Sequence, residues 1–284
     1  MISYIILDSI KHFVRSKITN KKKEIVKGYT PPNKEIKKIK IVIDYQVTSL
    51  RGLFKNCCFK EINFIQFYRK NIADMSQMFY NTDIDKDKYL FNNFVTVNVT
   101  NMSEMFASCE YLKTINLSNF DTQNVTDMGF MFSRCERLKS LDLTMFKTDN
   151  LIRMDKMFSE CQELEGVNLS SFNTSKVISM SELFAECTKL KNINLKNFNA
   201  DNLLYTEKMF DFCFNIEEID LSNFKTAPIK SMSYMFRQCI NLKTIYIINF
   251  KCAKKCEMKG VIEGCKSLVN FICDEELKKR IKSK

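Results

Sequence analysis

The chain has 284 residues, 45% of them apolar, including 24 Phe and 15 Met, which is enough to build a sizeable core. Only six Gly and three Pro interrupt it, so long flexible linkers are not expected, and no stretch approaches the roughly 18 consecutive apolar residues of a membrane-spanning helix. The net charge of +11 is uneven: residues 1–60 carry 14 Lys/Arg against four acidic residues, residues 61–250 carry 20 against 24, and residues 251–284 carry ten against five.

The first segment, MISYIILDSIKHFVRSK, puts its apolar run before its first basic residue, Lys11, and ends without a small-residue cleavage site. A secretory signal has the opposite order, so this segment reads as a terminal helix or strand. The lysine-rich residues 11–40 that follow could dock onto nucleic acid, an anionic membrane or an acidic partner. The simpler reading, a solvated terminus that keeps the chain soluble, is preferred. Ile36 to Gln46, IKKIKIVIDYQ, reads as a strand that covers an open edge. Residues 1–49 are therefore expected to be a basic segment with a capping strand.

From residue 50 onward the sequence repeats. Cysteines stand at 109, 135, 161, 187, 213, 239 and 265, a constant step of 26. Phenylalanines at 106, 132, 158, 184, 210 and 236 keep that step, as do Phe94, Phe120, Phe146, Phe172, Phe198, Phe224 and Phe250. In the unit that starts at Val99, the residues Met102, Met105, Phe106, Cys109 and Leu112 have the spacing of one stripe of a short helix. Asn101 with Glu104 resembles a capping box, and Ser179 with Glu182 repeats it. Asp127 and Ser231 supply a cap alone. Ile115 and Leu117 then alternate with polar residues, as in a half-buried strand, and Phe120 turns inward. Each unit thus predicts one short strand and one short helix, and a unit this small buries its apolar face only by stacking on its neighbours.

The ends of the array differ from its middle. Phe59, Ile62, Phe64 and Phe67 match the strand spacing of a first unit, and the second unit carries one extra residue near Asp83 to Lys88. The last unit has Val261 and Ile262 in place of Met-Phe. Its tail, DEELKKRIK, predicts a capping helix over 274–284 with Asp274 at the N-cap. The repeat array itself is expected over 50–273.

The strand part, Leu112 to Phe120, reads L-x-x-I-x-L-x-x-F and resembles the leucine-rich-repeat consensus, with Phe where many units have Asn. The longer pattern NVTDMGFMFSRCERLKSLDLTMF is similar to the BspA-like surface-protein repeat, and this resemblance covers roughly 220 residues of the chain. It implies an α/β fold: a right-handed leucine-rich-repeat-like solenoid of about nine units. It also implies kinship with bacterial and protist surface proteins linked to adhesion, although no signal or lipid anchor is recognisable.

Little in the array points to catalysis. His12 is the sole histidine and lies outside the repeats, and no phosphate-binding glycine loop occurs. The cysteine ladder reads as small buried core thiols rather than disulfides or a metal site, which suits a reducing compartment. Cys252 and Cys256 have ligand-like spacing, but no histidine lies near them. No cofactor, metal or small-molecule substrate is expected. Asn-x-Ser/Thr triplets at Asn98, Asn101, Asn116, Asn124, Asn168 and Asn173 fall out of the repeat.

The outward strand positions Asn116, Asp142, Asn168, Asn194, Asp220 and Tyr246 form the candidate surface for a protein partner, on a continuous and often concave sheet. An alternative is that this Asn/Asp/Ser ladder is only a solvated sheet. The function predicted is a non-catalytic interaction scaffold, with a surface adhesin or structural array protein as the alternative implied by the resemblance. The lack of a signal and the unpaired cysteines favour the cytoplasm.

Overall fold

A computed structural model describes residues 3–12, 17–20, 23–26, 36–43, 47–66, 70–84, 89–91 and 94–282. Its N-terminal part contains β1 (Ser3–His12), β2 (Lys17–Asn20), β3 (Lys23–Val26) and β4 (Ile36–Ile43). β2 and β3 pair as an antiparallel hairpin. β1 pairs antiparallel with β4 on one side and with β5 (Cys58–Gln66), the strand of the first coil, on the other. β5 in turn runs parallel to β6 (Tyr89–Leu90). The strand expected to cover the array therefore exists over Ile36–Ile43, but β1 lies between it and the first coil. Much of the lysine-rich stretch 11–40 is built into strands; residues 13–16, 21–22, 27–35 and 44–46 lie outside the described residues, as does Phe67.

From Val47 onward the chain winds in coils stacked one on the next. Seven parallel bridges run up one side, Ser49–Asp74–Asn101–Asp127–Arg153–Ser179–Tyr205–Ser231. The first two steps are 25 and 27 residues, and every later one is 26. The one-residue excess falls between Asn81 and Phe94, a span that includes the undescribed residues 85–88. On another side lie the short parallel strands β7 (Ser140–Asp142), β8 (Gly166–Asn168) and β9 (Glu218–Asp220). They are followed by β10 (Ile229–Ser231), β11 (Thr244–Tyr246), β12 (Cys252–Glu257) and β13 (Asn270–Ile272). β7 pairs with β8, β11 lies between β9 and β13, and β10 pairs with β12.

The helix predicted for each unit is absent. Among the described residues the sole helix is α1 (Glu275–Lys282), which Asp274 starts by accepting the Leu277 N–H at 2.8 Å. In its place the coils make successive i to i+3 turns, three in each coil from Met102 to Cys239: Met105 N–H to Met102 O, Ala107 to Glu104 and Cys109 to Phe106, at 3.1–3.2 Å. The alternate N–H groups leave the coil altogether. Met102, Glu104, Phe106 and Ser108 donate to Asp127, Gly129, Met131 and Ser133 of the next coil at 2.7–2.9 Å. An α-helix would spend all of these donors internally, and its width of about 10 Å would hold the coils apart on that side. Strand-like pairing lets them approach to about 4.8 Å on every side. The predicted capping boxes change meaning accordingly: Asn101 Oδ1 accepts from the N–H of Ser103 two residues on, and Glu104 accepts from Gln77 instead of reaching back.

The turns place two residues per coil at positive φ, nine pairs from Gly52 and Asn56 to Gly260 and Gly264. Fifteen of these eighteen residues are not glycine, for instance Glu104 (56°) and Ser108 (59°), and none is β-branched. A left-handed conformation costs about 1–2 kcal/mol for such residues; here each is held by the bond that its own N–H makes to the neighbouring coil.

The core is a set of columns. Phe54, Phe79, Phe106, Phe132, Phe158, Phe184, Phe210 and Phe236 stack at ring separations of 5.4–5.9 Å. The column from Phe146 to Phe250 steps by 6.0–6.4 Å. Ring separations in the turn-side column are thus no wider than those in the column that follows the strands. Buried threonines add a further column: Thr122 and Thr148 each donate to the carbonyl, and accept from the N–H, of a single residue in the following coil (Lys147 and Asn173). Charges at 26-residue spacing, such as Lys156–Glu182 at 3.1 Å and Lys189–Glu163 at 2.7 Å, fix the same register on the surface.

Candidate functional site

The strand face carries the residues predicted to meet a partner. Asn116, Asp142, Asn168 and Asn194 are exposed there, and Asp220 and Tyr246 are half-buried. The five Asn/Asp residues share one geometry: Oδ1 accepts the backbone N–H two residues on, in Ser118, Thr144, Ser170, Lys196 and Ser222, at 2.9–3.1 Å. This local bond turns the chain at the same point of each coil, ending β7, β8 and β9 at Asp142, Asn168 and Asp220, which is why the repeat calls for Asn or Asp there. The Thr144 N–H and hydroxyl hold the Asp142 carboxyl below its usual range, and the Ser222 hydroxyl and N–H do the same for Asp220. Both remain anionic on this face.

The face is not uniform along its length. Asn192–Asn194 forms no strand pairing with β9, so the ladder is interrupted between β8 and β9. A cleft of about 590 Å³ opens at that break, lined among others by Asn194, Lys196, Glu218, Asp220 and Lys243. It brings together two of the predicted residues, Asn194 and Asp220; Asn116, Asp142 and Asn168 lie on coils nearer the N-terminus. Beyond the cleft lie apolar side chains in solvent: Ile248 is 49% exposed, Val269 80% and Ile272 36%. Ile248 is legible as an apolar exception in the repeat. Val269 and Ile272 are missed by the strand-face pattern, although Val269 interrupts a column that reads Lys113, Lys139, Glu165, Lys191, Glu217, Lys243.

The cysteine ladder has a structural role. Each thiol donates to the carbonyl of the core Phe one coil back: Cys109 to Phe79, Cys135 to Phe106, Cys161 to Phe132, and onward to Cys265 and Phe236, at 2.9–3.2 Å. In the second coil Thr82 takes the place of cysteine, and its hydroxyl donates to Phe54 O at 3.0 Å. Burial pushes the thiols of Cys109 and Cys161 up to about 12, so they stay protonated and unreactive. Among the described residues no group of three or more His, Cys, Asp or Glu side chains could hold a metal ion, and no helix is long and apolar enough to cross a membrane. The glycosylation-type triplets include side chains already engaged: Asn124 donates to Val97 O at 2.8 Å and Asn173 to Asp149 at 2.8 Å.

Residues 48–167 and 152–274 each match the family described as "Mycoplasma protein of unknown function, DUF285", and the two matches together span well over half of the chain. The chain belongs to this family. The two DUF285 matches begin four repeats apart, in step with the coils. No curated protein matches the chain. Among solved structures it is similar to a leucine-rich repeat protein from Bacteroides ovatus ATCC 8483, at 16% identity over 96% of this chain and 95% of that one, with a TM-score of 0.30. It is also similar to a leucine rich cell surface protein from Faecalibacterium prausnitzii A2-165, at 15% identity over 78% of this chain and 87% of that one, with a TM-score of 0.25.

The cytoplasmic location expected from the sequence is corrected here. A structural neighbour is described as a cell surface protein. The ladder thiols, which suggested a reducing compartment, are kept from oxidation by burial and by their bonds to carbonyls, so they carry no information about the surroundings of this DUF285 chain.

Proposed function

We propose that the chain is a right-handed leucine-rich-repeat-like solenoid that serves as a non-catalytic scaffold, binding a protein partner across the C-terminal half of its strand face. The observation that carries this reading is the cleft at the ladder break, with anionic Asp220 beside it and the exposed Ile248 and Ile272 next to it on the same face. Polar groups that fix orientation beside apolar anchors are what a protein contact uses; a merely solvated sheet has no need of the anchors.

The test is partner capture by the full chain and by variants. Asp220→Lys combined with Ile248→Ser should reduce capture at least about tenfold, as expected for the loss of central contacts. Glu160→Lys, on the turn side, should leave capture unchanged. Equal capture by all three proteins refutes the strand face. Capture that survives both changes but falls steeply with added salt would transfer the role to the lysine-rich residues 11–40, with nucleic acid or an anionic membrane as the target.

The similarity of the repeat to BspA-like proteins supports a second reading, that the scaffold works at the cell surface as an adhesin. Protease treatment of intact cells distinguishes it: digestion of the chain before lysis supports surface exposure, and full protection until lysis rules it out.

A further inference from the structure

Four of the cysteines, Cys252, Cys256, Cys265 and Cys273, cluster toward the C-terminus, and all but Cys265 stand outside the ladder. The departure begins with Pro228, which stands where other coils carry the asparagine of an Asn-Val or Asn-Leu pair such as Asn124 or Asn202. Those coils close a turn there, with Val125 N–H to Thr122 O and Leu203 N–H to Ala200 O. Proline is disfavoured at that position of a turn, and Ile229 donates instead to Lys251 O at 2.8 Å, forming β10. The pairing with β12 is then irregular: Ile229 opposes Cys252 and Ser231 opposes Glu257, five steps of β12 against two of β10. The surplus chain bulges.

That bulge brings two thiols together. Five steps of β12 span only two of β10, so the backbone at Cys256 returns toward that at Cys252; Cys252 Sγ lies 3.8 Å from Met232 Sδ, and Cys256 Sγ donates to Glu257 O at 3.6 Å. Cys252 is partly exposed, whereas Cys256 is buried. The same bulge is gripped by the terminal helix, since Arg280 of α1 donates to Ala253 O at 2.8 Å and to Lys254 O at 3.3 Å. The ladder thiols differ in spacing: each stands a full coil from the next.

We propose that Cys252 and Cys256 are a modification site: they close a reversible disulfide across the β12 bulge when the chain meets a small disulfide such as oxidised glutathione. Cys252, the accessible thiol, loses its proton and its sulfur attacks the glutathione disulfide, forming a mixed disulfide and releasing one glutathione thiolate, which takes up a proton. Cys256 then loses its proton and attacks Cys252 Sγ, releasing the second glutathione. The two cysteines are oxidised by two electrons, and one glutathione disulfide is reduced to two thiols. Mutual hydrogen bonding and then burial hold the Cys252 thiol protonated, so the reaction speeds up as pH rises. The bond fixes the bulge whose carbonyls anchor α1, and so locks the C-terminal cap. This inference is independent of the strand-face reading.

Lys254 and Lys255 lie between the two cysteines, so trypsin separates them unless the disulfide holds them. The full chain is incubated with oxidised glutathione at about pH 8, alkylated and digested. The joined Cys252–Cys256 peptide should form at least about tenfold faster than any change at Cys109 to Cys239, which burial protects, and dithiothreitol should reverse it. Cys256→Ser, with an unchanged circular dichroism spectrum, should instead accumulate a glutathione adduct at Cys252. The proposal is overturned if the joined peptide does not form, if Cys252 is found joined to Cys265 or Cys273, or if the pair closes equally fast in denaturing urea.

Discussion

Replacing Cys161 by alanine removes the donor to the Phe132 carbonyl, a group buried in the middle of the array with its thiol partner at 3.1 Å. Two losses add. The sulfur is comparable to one buried methylene, worth about 0.8 kcal/mol, and the Phe132 carbonyl, which keeps the Cys135 N–H at 3.1 Å, loses one of its two hydrogen bonds, worth about 0.5–1.5 kcal/mol. The sum, about 1–2 kcal/mol, should lower the urea midpoint by about 0.5 M for a slope near 3 kcal/mol/M, read by circular dichroism. Cys161→Thr keeps a donor, as Thr82 does for Phe54 O, and should cost less than about 1 kcal/mol. Cys161→Val fills the space without donating and should fall nearer to alanine than to threonine. If threonine and valine prove equally stable, the thiol acts only by its volume and the hydrogen-bond argument fails.

Three further outcomes are expected. Ala200, buried in the threonine column between Thr174 and Thr226, leaves one rung empty; Ala200→Thr should raise stability by about 1 kcal/mol, and a lower thermal midpoint would count against the column. Burial, and then Glu160, Asp211 and Glu182, raise the Glu186 carboxyl above its usual range. The folded state therefore binds this proton more tightly than the unfolded chain, and the resulting penalty is present above the folded-state value and disappears as pH falls below the unfolded one. Glu186→Gln should accordingly stabilise at neutral pH, by no more than about 1 kcal/mol at this partly solvated site, and should change nothing near pH 3; a gain that persists in acid refutes the electrostatic cause. Lys208 sits at a φ of 52°, so Lys208→Val should cost about 1–2 kcal/mol while Lys208→Gly is near neutral; equal losses in the two variants would argue against left-handed strain.

The register of the molecule is readable in the sequence because a 26-residue period can bury Cys109, Cys135 and Cys161 only by stacking them. The turn run is not readable from the same stripe. Met102, Met105, Phe106 and Cys109 have the spacing of a helix, and three linked turns share that spacing while sending alternate N–H groups to the next coil. A weaker signal was available: the columns through Glu104 and Ser108 contain no Val, Ile, Thr or Pro in any coil and end in Gly260 and Gly264, as left-handed positions require. Asn116 to Asp220 were legible as outward strand residues, but their bonds to the N–H two residues on and the cleft beside Asp220 depend on how neighbouring coils sit. The Cys252–Cys256 pairing hinges on the bulge opposite β10, which residue spacing alone does not encode.

The seven-rung bridge ladder has a consequence for length. Each coil from Asn101 to Ser231 offers its neighbour the same donors and acceptors that it receives from the coil before. A duplicated or deleted stretch of one full period inside those limits would meet surfaces that already fit it, lengthening or shortening the rod by about 4.8 Å without new chemistry in its interior. Recombination between near-identical gene segments could therefore vary the reach of this protein in uniform increments, with both terminal caps unchanged.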